Sequence, residues 1–170
     1  MGFSIALISP QIAPNTGNIA RLAGATDTVL HLIEPLGFRI DDTELKRAGL
    51  DFWDSVDIWI HPFWNAFRSA VARDRCLYFS AKGTRSYLEA PYEPNSVLVF
   101  GSETEGMPKR ILEKHPDRIF RIPMRPEVRC LNLATAVGIV LYEALRKTDL
   151  SIDRHLEQFT AAMIAKEEEA

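Results

Sequence analysis

The sequence predicts an α/β fold, a mostly parallel sheet with helices on both faces. Three observations point to it. Short apolar runs such as "FSIALIS" and "SVLVFGSE" alternate with stretches of helical spacing, the pattern of strands joined through crossover helices. The runs are continuously apolar rather than alternating, as strands covered on both faces are. With 170 residues, 46% of them hydrophobic, and no linker-like stretch, the chain makes one ordinary core. Residues 1–150 read as one domain and 151–170 as its C-terminal helical extension.

Each element has its own signal. Phe3–Ser9 reads as a buried strand. Asn15 can cap a helix through Thr26 that buries Ile19, Leu22 and Ala23. Thr28–Glu34 is a second strand closed by Pro35, and "DDTELKRAG" a short helix stopped at Gly49. Ser55–Ile60 is a third strand, followed by an amphipathic helix over Pro62–Arg73 carrying Phe63, Ala66, Phe67 and Ala70. "RCLYFSA" is the fourth strand; a loop with Pro91 and Pro94 leads to the fifth, "SVLVFGSE". Pro108 suits a helix's first turn, where a missing N–H is harmless. "RIFRIP" is the sixth strand, and helical spacing resumes from Leu131. In the tail, Ile152, Leu156, Phe159 and Met163 recur at helical spacing behind Ser151, a possible cap, while Glu167–Glu169 oppose the helix dipole.

Composition narrows the function. No apolar run approaches the roughly 20 residues that cross a bilayer. "MGFSIALISPQ" reads as a strand rather than a leader, and Ala6 stands where an N-myristoylation signal needs Ser or Thr. Cys76 and Cys130 are no disulfide framework, which suits a reducing cytoplasm, and the four histidines show no metal-ligand spacing. The net charge of −3 is not that of a general nucleic-acid binder. Any such partner must meet local basic patches: Arg39, Lys46 and Arg47, or Arg121, Arg125 and Arg129, each of which also reads as solvated surface charge.

Ligands of parallel sheets sit beyond the C-terminal strand ends. "SAKGTR", "FGSETEGMP" and "IPMRPEVRCLN" follow the fourth, fifth and sixth strands. "GSETEG" has neither the third glycine of a dinucleotide site nor the Gly-Lys-Ser/Thr of a P-loop. It offers Gly101, which permits close backbone approach, and two carboxylates, Glu103 and Glu105, that otherwise read as a solvated turn.

"APNTGNIARLAGATDTVLHLIEPLGF", "LVFGSETEGMP" and "RIPMRPEVRCLNLATAVGIVLYEALRK" resemble the three motifs of the SPOUT-superfamily RNA 2′-O-methyltransferases. "IEPLGF", "KRAGLDFWD" and "FGSETEGMP" are most similar to the small single-domain tRNA (cytidine/uridine-34-2′-O)-methyltransferases, over about residues 3–147. The resemblance implies a deep C-terminal trefoil knot, S-adenosylmethionine as cofactor with no metal, tRNA as substrate and a homodimer. It places cofactor contacts at Phe79, Gly101, Ile122, Met124, Cys130 and Leu131, and catalytic groups at Asn15, Arg21, Glu103 and Asn132. Under it, Ile122–Asn132 is a cofactor wall that prolines hold extended. Arg21 is the family's proposed base. A guanidinium stays protonated, so stabilising the oxygen's developing charge is its more natural role.

Cys130 replaces the serine common in that motif, and reads equally as a cofactor-contacting residue or a small buried hydrophobe. Arg21 lies six residues after Asn15, so the two need a bend or cap between them to share a site. Other readings are 2′-O-methylation at another tRNA or rRNA site, a weakened RNA-binding relative, and an α/β enzyme using a different small nucleotide. Loss of Arg21, Glu103 or Asn132 would mark the second, and all three are present.

Overall fold

The computed structural model describes residues 2–40, 56–148 and 153–168. Among these residues seven strands form one sheet: β1 (Ser4–Ile8), β2 (Val29–Ile33), β3 (Ile58–His61), β4 (Cys76–Phe79), β5 (Arg85–Ser86), β6 (Val97–Phe100) and β7 (Ile119–Arg121). Their order is β3-β2-β1-β6-β4-β7-β5, and every pairing is parallel. The helices among the described residues are α1 (Ala13–Ala25), α2 (Trp64–Ala70), α3 (Lys109–Lys114), α4 (Leu133–Thr148) and α5 (Asp153–Glu168).

Side chains alternate across a strand, and each face of this sheet has its own core. Ile5, Leu7, Leu30, Leu32, Leu98 and Phe100 meet Ile19, Ala20 and Ala23 of α1 and Val137, Val140 and Leu141 of α4. On the opposite face Ala6, Ile8, Val97 and Val99 meet Phe67 of α2 and Ile111 of α3. Each large side chain so buried contributes about 1.5–3 kcal/mol, which is why the strand sequences carry no polar alternation.

Several expectations need correction. Asn15 is not a cap: α1 begins two residues earlier, its N-cap is Ile12, and no side chain of its own caps it. Proline at the first turn needs no N–H there, so the helix starts ahead of Asn15. Pro108 is likewise the N-cap of α3 rather than a first-turn residue. The helix expected over Pro62–Arg73 shrinks to α2, with Phe63 as its exposed N-cap and Phe67 its one buried side chain. The loop holding Pro91 contains β5 and a short 3-10 turn, Tyr87–Glu89, before the prolines. The third strand begins at Ile58 rather than Ser55, and "DDTELKRAG" with Lys46, Arg47 and Gly49 lies outside the described residues. So do Ser151, Ile152 and the side chains of Leu156 and Phe159; Met163 of α5 is exposed.

Candidate functional site

The C-terminal ends of β4, β6 and β7 converge with the start of α4 on a cavity of about 480 Å³. Phe79 closes β4; its ring stacks 5.3 Å from that of Phe100 and 6.3 Å from that of Tyr92, giving the cavity an apolar aromatic wall. Gly101 leaves β6 where there is no room for a side chain. A Cβ there would lie 2.2 Å from the carbonyl carbon of Gly106, closer than atoms approach. Gly106, at φ +70°, turns the loop back so that Ser102 and Gly106 bond each other's backbones at 2.9 and 3.2 Å. That folded loop carries Glu103 to the cavity. Beyond β7, residues 122–132 run without regular structure, and Ile122, Met124, Cys130 and Leu131 form the remaining wall.

Asn132 immediately precedes α4. Its Oδ1 accepts the N–H of Ala134 at 2.9 Å and of Thr135 at 3.3 Å, capping α4. Its Nδ2 donates at 2.8 Å to Oδ1 of Asn15, and Asn15 Nδ2 donates at 3.0 Å to Glu103. The Glu103 carboxylate also accepts the backbone N–H of Gln11 at 2.8 Å and of Ile12 at 3.3 Å. A carboxylate facing these amides, beside the first turn of α1, is favoured by the helix dipole. So Glu103, Asn15 and Asn132 form one hydrogen-bonded chain tying the loop after β6 to the starts of α1 and α4. Asn15 and Asn132 each keep a second amide hydrogen for a ligand.

Nine of the ten expected residues line this cavity: Phe79, Gly101, Ile122, Met124, Cys130, Leu131, Asn15, Glu103 and Asn132. Arg21 is not among them. It is exposed on α1, which continues past Asn15 as one helix, so no bend brings Arg21 back to the site. Cys130 is exposed on the wall, which rules out the buried-hydrophobe reading. Glu105 is exposed on the cavity's margin; its N–H donates to Ser102 Oγ at 3.1 Å. Ile12, Lys82 and Ala136 also line the cavity. Lys82 belongs to the strand-end loop "SAKGTR" and was within reach of sequence reasoning; Ile12 and Ala136 carried no chemical signal. No group of three or more potential metal ligands occurs among the described residues, and no described helix is long and apolar enough to cross a membrane.

The pattern of the SpoU rRNA Methylase family matches residues 2–142. The chain belongs to that family. A relative, the tRNA (cytidine(34)-2'-O)-methyltransferase of Burkholderia ambifaria, is 43% identical over 148 residues, covering 85% of this chain and 95% of that protein. A solved structure described as giving insights into the 2-OH methylation of C/U34 on tRNA is also 43% identical, with a TM-score of 0.78 over 85% of this chain and 94% of the other. An AdoMet-bound rRNA methyltransferase from Sinorhizobium meliloti is 26% identical, with a TM-score of 0.74; the match spans 86% of this chain and 56% of that one. The last turns of α4 and all of α5 lie beyond the matched residues.

Proposed function

We propose that this protein transfers a methyl group from S-adenosylmethionine to the ribose 2′-hydroxyl of tRNA nucleotide 34, a cytidine or modified uridine. The observation that carries the chemistry is the Glu103–Asn15–Asn132 chain at the edge of an apolar cavity. The wobble position rests on the relatives' names and their near-complete coverage.

The cavity suits the cofactor. Its volume lies within the roughly 300–1,000 Å³ typical of small-molecule sites. Apolar surface from Phe79, Ile122, Met124 and Leu131 would hold the adenosine, with backbone groups of residues 122–131 available to the base. Bound there, the cofactor supplies a methyl group already activated on sulfonium sulfur. The protein's remaining work is to hold the ribose oxygen in line while its proton passes to solvent, and to offset the negative charge that oxygen then develops. The free amide hydrogens of Asn15 and Asn132 donate to that oxygen or its neighbours, and Glu103 fixes Asn15 in the orientation that presents one.

Arg21 fits this scheme in a homodimer, its guanidinium reaching the cavity of the other subunit. Partly exposed apolar side chains at the start of α1 (Ile12), on α1 (Leu22) and on α4 (Ile139 and Tyr142) supply contact surface for such a pair. A C-terminal knot is consistent with the strand order. β7 lies between β4 and β5, under the 80–84 connection, where Ser80 N–H donates to Phe120 O at 2.9 Å. Both cysteines are free, in keeping with a cytoplasmic setting.

Incubation with tritiated S-adenosylmethionine and bulk tRNA, followed by nuclease mapping, tests the proposal. Label is expected on nucleotide 34, and Arg21→Ala is expected to slow its incorporation about 100-fold, the cost of losing one oxyanion donor. Cofactor binding without label on tRNA would move the substrate to another RNA.

A further inference from the structure

The motif "IEPLGF" has no part in the cavity just described, yet it stands beside it. It leaves β2 at the C-terminal edge of the sheet, where β2, β1 and β6 are neighbours. Glu103 follows β6 and Gln11–Asn15 follow β1, so the motif adjoins the catalytic side chains across one intervening loop. Two strand spacings, about 10 Å, separate β2 from β6.

The contact between these loops is intimate. Gly37 N–H donates to Pro10 O at 2.9 Å. A Cβ on Gly37 would lie 2.6 Å from both Cα and O of Gln11, so only glycine allows the approach. Gln11 is the residue whose own N–H holds Glu103 at 2.8 Å. The motif is therefore locked to the carboxylate that organises the reaction site. It also frames a second, more open cavity lined by Glu34, Leu36, Phe38, Arg39 and Ile40. Leu36 packs on the main core, which anchors that wall, while Phe38 is half-buried and Arg39 exposed.

We propose that this second cavity receives the base of the nucleotide being methylated, an assignment that rests on the tRNA reading above. The chemistry matches one pyrimidine nucleotide. Phe38 offers an aromatic face for stacking. Arg39 carries a cation for the adjoining phosphate, and Glu34 a carboxylate able to accept from the exocyclic amine of cytosine. With the base over Phe38, the ribose of the same nucleotide spans the Gln11 loop and its 2′-hydroxyl meets Asn15.

An anticodon stem-loop carrying 5-iodouridine at position 34 tests this on the unmodified protein. Irradiation at long wavelength should cross-link the iodinated base to the peptide containing Phe38. In parallel, Phe38→Leu should raise KM for the RNA about 10-fold, the scale of one lost base–aromatic stack. Its kcat and cofactor affinity should be unchanged, and Phe38→Tyr should retain the wild-type KM. Cross-links confined to other residues, or a wild-type KM for Phe38→Leu, would overturn the assignment while methylation at position 34 continued. A wild-type protein that leaves position 34 unmethylated would instead remove the functional reading on which it rests.

Discussion

At the residue scale the site turns on side chains that serve fold and chemistry together. Asn132 caps α4 through Oδ1 and reaches Asn15 through Nδ2, and the two jobs can be separated. Asn132→Ala should lower the melting temperature, since losing a cap costs about 0.5–2 kcal/mol, and should also slow methyl transfer. Asn132→Asp retains the capping oxygen but donates nothing to Asn15, so it should melt near the wild type and still lose most activity. Thermal melts beside a methyl-transfer assay distinguish them; a fully active Asn132→Asp would show that donation to Asn15 is dispensable. Asn15 itself shows where residue-level reading falls short. Asparagine ahead of an apolar helix is a fair cap by local rules. Here Asn15 lies inside the first turn of α1, and its side chain bonds Asn132 and a glutamate 88 residues away. No local pattern encodes a partner that distant.

At the scale of elements, what was legible followed from burial. β1, β2, β4 and β6 were visible because strands covered on both faces must be apolar throughout, and the site followed because parallel sheets bind at their C-terminal ends. β5 was invisible: two residues, Arg and Ser, pair with β7 at the sheet edge and bury too little to leave a pattern. α2 was overread because Phe63 and Ala70 kept helical spacing while only Phe67 is buried. A pairing between elements supplies a further prediction. His31 of β2 and His61 of β3 meet at 3.0 Å, ringed with Phe67. Burial first, and then the neighbouring His61, lower the His31 pKa from 6.5 to about 4. Between those pH values the unfolded chain binds a proton that the folded one refuses. Stability therefore falls as pH drops from about 6.5 to about 4, with no contribution above that window. The loss reaches at most about 3 kcal/mol. Urea midpoints for wild type and His31→Gln across this window should converge toward low pH; parallel curves would exclude His31 as the source.

At the scale of the whole molecule, an acidic chain must hold a polyanion. The net charge is −3, yet Arg39, Arg121, Arg125 and Arg129 are all exposed, and Arg129 lines the cavity. RNA affinity should therefore fall steeply with salt. Under the proposed homodimer, Arg21, which stands outside its own cavity, would make assembly part of the chemistry. If it acts across a dimer, Arg21→Ala and Asn132→Ala subunits, each slowed when alone, should regain about a quarter of wild-type activity when reassociated at random, since half the dimers then hold one complete site. No recovery on mixing would return Arg21 to its own subunit or remove it from the reaction. The central claim, however, concerns a single oxygen atom. The most direct test uses anticodon stem-loops bearing one 2′-deoxynucleotide at position 33, 34 or 35, with methyl transfer measured on each. Loss of methylation with the 34-deoxy RNA alone is the predicted result. Methylation that survives deoxygenation at position 34 would contradict the account.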